Sequence, residues 1–189
     1  MILDFITWNV DPEIFDLGFI APRWYGLLFA SAFFFGYLIM TKFFKKEGVP
    51  IKVLDTLTTY MLVATVIGAR LGHVFFYDWA YYSQHPVEIL YVWQGGLASH
   101  GAAVGILIAI YILSLVEKGL YLWLMDRIVI VTALGGFLIR TGNLMNSEIY
   151  GHVTDLPWGF IFVRDGMVDP RHPTQIYDCL LYTSPSPRD

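Results

Sequence analysis

Charged residues are scarce in this sequence of 189 residues, since only 15% of them are Asp, Glu, Lys or Arg. A soluble domain has about 25% charged residues. The mean hydropathy of the chain is +0.55, and 56% of its residues are hydrophobic. The lack of charge therefore excludes an ordinary soluble domain and indicates a polytopic membrane protein.

Cysteine and net positive charge are lacking as well. Cys179 is the only cysteine, which excludes a disulfide framework and a metal cluster of the cysteine type. The formal net charge is −4, so the chain has no basic field for nucleic acid. We therefore predict no cysteine-ligated metal cluster and no nucleic-acid partner.

Long apolar runs are what the sequence has in place of charge. Four of them are long enough to cross a bilayer as helices, which needs about 17 to 25 residues at roughly 1.5 Å per residue. The predicted spans are Trp24–Phe44, Val53–Tyr77, Leu97–Val116 and Ile128–Met145. The predicted fold class is all-α, a polytopic membrane helical bundle.

Two segments beside the spans are predicted to lie at the membrane surface. Met1–Ile20 alternates apolar and acidic residues and is too polar to span. The loop from Asp78 to Gly96 lacks lysine and arginine but is rich in tyrosine and tryptophan, the composition of an interfacial aromatic belt. Within this loop, Val87–Trp93 is too short to span and is predicted to be a re-entrant or surface segment.

Basic residues are concentrated around two of the connections between spans. They are Lys42, Lys45, Lys46 and Lys52 at the first connection, and Lys118 and Arg127 at the third. Because cytoplasmic connections carry an excess of lysine and arginine, both connections are predicted to be cytoplasmic. The N-terminus, the aromatic loop and everything after Met145 are then predicted to be outside.

With this orientation, one polar residue falls near the outer end of each span. These residues are Tyr25, Arg70, His100 and Arg140. The pattern predicts one polar layer in the outer leaflet, to which all four spans contribute. The alternative for any single residue is interfacial snorkelling, in which a long side chain reaches for water.

The densest polar cluster closes the fourth span, at residues 140–151, RTGNLMNSEIYG. A full charge beside hydrocarbon costs roughly 2.5–3.5 kcal/mol on insertion scales, so an arginine kept there indicates a function. A guanidinium with flanking amides suits a phosphate or a carboxylate. The structural alternative is an ion pair between Arg140 and Glu148.

Three stretches, in this order, resemble the prolipoprotein diacylglyceryl transferases of bacteria. They are GGLASHG at residues 95–101, the cluster at residues 140–151, and RHPTQIY at residues 171–177. The resemblance also includes RWYG at residues 23–26 and GARLG at residues 68–72. The pattern R-x-G-N-x-x-N-x-E-x-x-G is highly specific because of its length, whereas a glycine-rich turn before a histidine is weak alone.

The resemblance implies a multi-pass enzyme of the bacterial inner membrane with its active site facing the periplasm. The family moves a diacylglyceryl group from phosphatidylglycerol to the lipobox cysteine thiol of a preprolipoprotein, the first step of lipoprotein maturation. The implied partners are phosphatidylglycerol, the preprolipoprotein signal peptide with its lipobox cysteine, and membrane lipids. Neither a metal nor an organic cofactor is implied.

The chemistry of this transfer suggests roles for the residues of the cluster. The thiol must lose its proton, and charge building on the departing phosphate must meet fixed positive groups. We assign Arg140 to the phosphate, with Asn143 and Asn146 as hydrogen-bonding partners and Glu148 orienting the arginine. Gly151 is expected to let the backbone pack near the lipid.

The remaining candidates come from the other spans and loops. His100 is the candidate base or headgroup ligand, because imidazole titrates near neutral pH. Tyr25 is expected to hydrogen-bond the headgroup and Arg70 to bind substrate. A purely structural role stays open for His100 and for Arg70, and His172 is interpreted as a residue that organises its loop.

The resemblance ends after about Tyr177. We therefore predict that residues 1–177 form a membrane-embedded transferase domain that is incomplete, with four spans out of a larger bundle. Residues 178–189 are predicted to be a tail outside the family, produced by truncation or a sequencing junction, and the chain is expected to be inactive if the missing part is needed.

Two other functions remain as alternatives. One is an outer-leaflet transporter or channel for an anionic solute. Against it, the sequence has no convincing internal repeat and no matching pair of proline-broken helices. The other is a non-catalytic membrane scaffold, which would tolerate the loss of Arg140 and His100 together.

Overall fold

A computed structural model describes residues 5–18, 21–117 and 119–183. The helices in chain order are α1 (Trp24–Lys46), α2 (Ile51–Phe76), α3 (Trp79–Tyr82), α4 (Ser99–Val116), α5 (Tyr121–Met145) and α6 (Thr174–Thr183). Within the described residues, α1, α2, α4 and α5 are long and apolar enough to cross a membrane. The predicted membrane-helical fold with four spans is confirmed.

The largest difference from the predicted bounds is the start of α5. This helix begins at Tyr121, whereas the sequence predicted a span from Ile128. The extra turns are compatible with Arg127 because its Nη2 pairs with the Glu47 carboxylate at 2.9 Å. The indole of Trp123 donates to the same carboxylate at 2.6 Å. Lys118, which the orientation argument also used, lies outside the described residues.

A small parallel sheet adds to the predicted all-helical fold. Strand β1 (Ile6–Trp8) pairs with strand β2 (Phe160–Phe162), with Ile6 opposite Phe160. The indole of Trp8 also donates to the carbonyl of Leu144 at 2.9 Å. The N-terminal segment, predicted only to lie at the interface, is therefore bound to other parts of the chain. Strands of three residues are too short to give an alternating pattern.

The described residues form two compact units. The first unit takes in the residues up to Leu38 and those from Val129 onward, and the second takes in Ile39–Ile128. In the first unit, α1 and α5 approach closely at Gly36. A Cβ on Gly36 would come within 2.7 Å of the side chain of Val131.

In the second unit, α2 and α4 pack through small residues. A Cβ on Gly72 would lie 2.7 Å from the Cα of Gly101, and one on Gly105 would meet the backbone of Ala64 and Gly68. Such small-residue contacts let the backbones of membrane helices approach closely. These glycines therefore serve to pack α2 against α4.

The aromatic loop folds into short helical turns. After α3, single 3-10 turns cover Pro86–Leu90 and Val92–Gln94. The side chains of Val87, Leu90 and Trp93 are exposed. Short turns with outward apolar side chains suit a segment at the membrane surface.

Candidate functional site

The chain after α5 makes a tight turn with a strained backbone. Ser147 and Ile149 have φ angles of 56° and 58°, in the left-handed region that residues other than glycine rarely adopt. The turn is held by main-chain hydrogen bonds, among them one from the Glu148 amide to the Asn143 carbonyl at 3.0 Å. Strain of this kind persists only where surrounding structure holds it, and it is frequent at functional sites.

The start of α6 provides part of that surrounding structure. The hydroxyl of Thr174 donates to the carbonyl of Ile149 at 2.8 Å. The side-chain amide of Gln175, which is fully buried, donates to the carbonyl of Glu148 at 2.6 Å. Two of the sequence motifs, at residues 140–151 and 171–177, thus form a single structural element.

Gly151 lies against this second motif. Its amide donates to the carbonyl of His172 at 2.8 Å. A Cβ on Gly151 would lie 2.8 Å from a methyl group of Thr174 and 2.9 Å from the Cβ of His172. The observed close approach is to protein, so a role of Gly151 beside the lipid stays a prediction.

His172 has the loop-organising contacts that were predicted for it. Its Nδ1 lies 3.0 Å from the hydroxyl of Tyr177, and its main chain pairs with Gly151 and His152. The Tyr177 hydroxyl also accepts a hydrogen bond from the Trp158 indole at 2.9 Å. These contacts brace the segment that leads into α6.

Arg140 lies five residues before the end of α5, and its guanidinium is held from two sides. Its Nε pairs with the Oδ2 of Asp178 at 2.9 Å, with 28% of the arginine side chain and 35% of the aspartate side chain exposed. Its Nη1 makes a long hydrogen bond of 3.5 Å to the Oδ1 of Asn143. The guanidinium is therefore fixed but only partly buried.

Glu148 reaches Arg140 through Asn143. The side-chain amides of Asn143 and Asn146 both donate to the Oε1 of Glu148, at 2.9 Å and 3.2 Å. Among the described residues, Arg140 and Glu148 form no direct ion pair, which was the structural alternative for this arginine. Glu148 orients the two amides, and Asn143 connects them to the guanidinium.

Asp178 is the residue of this cluster that the sequence analysis missed. It was assigned to the tail outside the family, but it lies within α6, which continues to Thr183. The available signal was a carboxylate directly after the RHPTQIY motif, at the start of an apolar stretch that suits a helix. The domain boundary at residue 177 stays a prediction, and residues 184–189 lie outside the described part of the chain.

Tyr25 belongs to the same unit as Arg140. It is the second residue of α1, and a Cβ on Gly142 would lie 2.8 Å from its ring and 3.2 Å from its Cα. Because the glycine of the R-x-G-N pattern has no side chain, the start of α1 can pack closely against the end of α5. The first unit contains six of the eight predicted site residues: Tyr25, Arg140, Asn143, Asn146, Glu148 and Gly151.

Arg70, in the second unit, is held by main-chain carbonyls. Its Nε donates to Ile89 at 2.9 Å, its Nη1 to Gly95 at 2.7 Å and its Nη2 to Glu88 at 2.6 Å. The guanidinium also lies 4.8 Å from the ring centre of Tyr82, and Arg70 is only 3% exposed. These contacts favour the structural alternative for Arg70, and substrate binding by it stays a prediction.

His100 is the second residue of α4 and is exposed. Its ring packs against those of Phe76 and Tyr77, with centroid distances of 5.1 Å and 5.7 Å. It also lines an apolar groove of about 770 Å³ between α2 and α4. The groove leaves the imidazole accessible to a ligand, and the roles of base, headgroup ligand and structural residue all remain open.

Among the groups outside the spans whose pKa is shifted, two lie in the segments around the candidate site. The hydroxyl of Tyr150 donates to the carboxylate of Asp165, which raises the pKa of Tyr150 above its ordinary value. Burial raises the pKa of the Cys179 thiol, and a contact with the Thr141 hydroxyl partly offsets this. Within residues 5–18, 21–117 and 119–183, no group of three or more His, Cys, Asp and Glu side chains is placed to hold a metal ion.

Comparison with known families and proteins gives a consistent result. The family model described as prolipoprotein diacylglyceryl transferase matches residues 12–184. The phosphatidylglycerol–prolipoprotein diacylglyceryl transferase of Tolumonas auensis is 48% identical, over 94% of this chain and 69% of the relative. Proteins with the same name from Chloroherpeton thalassium and Porphyromonas gingivalis are 50% and 45% identical, each over 94% of this chain and 66% of the relative. The chain spans about two thirds of the length of these relatives.

Proposed function

The chain belongs to the prolipoprotein diacylglyceryl transferase family, and on this premise we propose that it transfers a diacylglyceryl group from phosphatidylglycerol to the lipobox cysteine of a preprolipoprotein. The names of its relatives support the predicted activity and substrates. The four apolar helices agree with an enzyme that acts on a lipid within the membrane. No comparison supports the transporter alternative.

The proposed reaction replaces one bond with another. The thiolate sulfur attacks the glyceryl carbon of the donor lipid, and a carbon–sulfur thioether bond forms. The bond between that carbon and the phosphate oxygen breaks, and glycerol phosphate leaves with the bonding electrons. The thiol proton must first pass to a base, for which His100 is the candidate.

The observation that carries the proposal is the arrangement around Arg140. Its Nε is occupied by Asp178 and one Nη1 hydrogen by Asn143, but its Nη2 makes no hydrogen bond to any residue that the structure describes. The fork of Nη1 and Nη2 suits two phosphate oxygens, as arginine commonly binds phosphate in a bidentate manner. A guanidinium fixed in advance stabilises the charge that develops on the leaving phosphate.

The turn beside Arg140 also offers hydrogen-bonding groups for a polar headgroup. The side-chain oxygens of Asn146 and Ser147 are buried and have no hydrogen-bond partner among the described residues. A buried polar atom without a partner is unfavourable, so a hydroxyl-bearing ligand that reached it would be stabilised. The glycerol headgroup of phosphatidylglycerol is such a ligand.

We place the reaction on the periplasmic side of the bacterial inner membrane. Basic residues cluster at one end of the helices, for example Lys45 and Lys46 in the last turn of α1. The candidate site residues lie at the opposite ends, with Tyr25 at the start of α1 and His100 at the start of α4. Under the positive-inside rule this arrangement supports a site on the outer side.

Mass measurement of an acceptor peptide tests the function directly. Purified protein is incubated with phosphatidylglycerol and a lipobox peptide, with phosphatidylcholine as the control lipid. We expect the peptide to gain one diacylglyceryl group with phosphatidylglycerol and none with phosphatidylcholine.

Because the relatives are longer, a second preparation carries the chain extended by the C-terminal third of a relative. An unmodified peptide in both preparations would overturn the proposed transfer. Modification by the extended protein alone would show that the activity needs the added segment.

A further inference from the structure

We propose that Asp178 is a positioning residue for Arg140, which sets the guanidinium in the orientation that binds the phosphate of the donor lipid. The inference rests on the proposed function, because it concerns how that phosphate is held. The motifs that carry the family resemblance end at Tyr177, whereas the family model extends to residue 184 and includes Asp178.

Geometry supports this role. The Oδ2 of Asp178 lies 2.9 Å from the Nε of Arg140, so the aspartate occupies the side of the guanidinium. A carboxylate placed there leaves the fork of Nη1 and Nη2 open on the other side. A carboxylate across the fork would instead block the bidentate position that a phosphate needs.

The position of Asp178 is set by the same turn that holds the other site residues. Thr174 and Gln175 of α6 bond the carbonyls of Ile149 and Glu148, at 2.8 Å and 2.6 Å. Residues three and four apart lie on one face of a helix, so Asp178 faces the turn along with them. Asp178 contacts Arg140 directly and Glu148 is connected to it through Asn143, so the two carboxylates come from separate segments that are bonded to each other.

Stability alone gives little reason for this ion pair. Both side chains are partly exposed, and exposed ion pairs contribute little to folding. A single carboxylate contact at Nε also reduces the net charge that a phosphate would meet. The benefit of the ion pair must then come from the orientation that it gives the guanidinium. A misplacement of a binding group by about 1 Å can lower a rate about 100-fold.

The test compares Asp178→Asn with Asp178→Glu. Asparagine keeps the shape but loses the charge, whereas glutamate keeps the charge on a longer side chain. The matched control is Asp155→Asn, which removes the same charge from an exposed residue of the same unit that has no ion pair among the described residues. Binding of phosphatidylglycerol in nanodiscs and the rate of transfer are both measured, and thermal unfolding identifies any variant that fails to fold.

We expect Asp178→Asn to weaken phosphatidylglycerol binding and kcat/KM about tenfold, with Asp178→Glu recovering part of the loss. Asp155→Asn should match the wild type. In an Arg140→Gln background, Asp178→Asn should have no further effect on lipid binding, because its role passes through the arginine.

Three results would overturn the proposal. Tighter lipid binding by Asp178→Asn would show that Asp178 competes with the phosphate, and an effect equal to that of Asp155→Asn would show no specific role. A full effect in the Arg140→Gln background would show a role independent of the arginine. If neither the chain nor its extended form bound phosphatidylglycerol or transferred a diacylglyceryl group, the proposed function itself would fail. The three results above, obtained with an active protein, would overturn only the role of Asp178.

Discussion

Two arginines in this protein are held in opposite ways. Arg70 donates through Nε, Nη1 and Nη2 to main-chain carbonyls of the aromatic loop and is almost fully buried. Arg140 is held by side chains, the carboxylate of Asp178 and the amide of Asn143, and remains partly exposed. Both arginines lie near helix ends that the sequence assigns to the outer leaflet.

The difference shows that an intramembrane arginine can be kept for two reasons. A guanidinium whose three nitrogens all donate to carbonyls secures a loop, because it satisfies groups that would otherwise lack partners in an apolar region. A guanidinium fixed at one edge keeps donors for a ligand. We therefore expect changes at Arg70 to affect stability first and changes at Arg140 to affect activity first.

Replacement by lysine should separate the two arginines most strongly. Arg140→Lys should lower kcat/KM about 100-fold or more, since an ammonium cannot form the bidentate contact with phosphate. Arg70→Lys should leave phosphatidylglycerol affinity per folded molecule nearly unchanged. Transfer rates and lipid binding, both normalised to folded protein, measure the contrast, and full transfer by Arg140→Lys would refute the bidentate picture.

Replacement by methionine should reverse the order when stability is measured. Arg70→Met leaves several carbonyls of the loop without a donor and should lower the free energy of unfolding by about 2–4 kcal/mol. Arg140→Met should lower it by less, because its partner Asp178 is partly exposed to water. Thermal unfolding and protease cleavage between Ser83 and Gly96 report the two effects. An equal loss in both variants would remove the distinction between the arginines.

Two glycines of α5 test how far the Arg140 region depends on packing. Gly142→Ala places a Cβ within 2.8 Å of the Tyr25 ring and should shift the start of α1, lowering transfer about tenfold. Gly135→Ala meets no atom within 4 Å and should be neutral, or stabilising by up to about 1 kcal/mol. Transfer rates and unfolding midpoints of the pair are compared. Equal behaviour would mean that the contact with Tyr25 does not shape the region.

The smallest expected effect concerns the thiol beside Asp178. Burial raises the pKa of Cys179, so less thiolate is present at neutral pH and alkylation should be slower than for an exposed cysteine. The rate should increase as the pH rises through the raised pKa. The charge of Asp178 raises this pKa and that of Arg140 lowers it, so Asp178→Asn should speed alkylation and Arg140→Gln should slow it. Mass spectrometry of the alkylated protein at several pH values measures the rates.

The features of the fold that depend on consecutive residues were predicted well from the sequence. The four spans follow from continuous apolar runs, and their bounds agree with the helices within two residues except at the start of α5. That helix extends back to Tyr121, and Glu47, far away in the chain, pairs with the Arg127 that lies in the added turns. In a sequence, a charged residue at the edge of an apolar run is interpreted as part of a connecting loop, because its ion-pair partner is not visible.

The candidate site was predicted in its residue types but not in its connections. The cluster at residues 140–151 was identified from its polar residues, whereas the carboxylate on Arg140 comes from Asp178 and not directly from Glu148. Two carboxylates were available, and only the packing of α6 against the turn selects between them. The role of Arg70 was left open for the same reason, because its partners are carbonyls that no sequence pattern marks.

The sequence by itself determined that this is a membrane protein of the prolipoprotein diacylglyceryl transferase family, because hydropathy and a long motif are properties of consecutive residues. The tertiary structure alone decided which acid holds Arg140, that Arg70 secures a loop, and that β1 pairs with β2. These contacts join positions far apart in the chain, and each depends on distances of about 3 Å that only the folded arrangement sets.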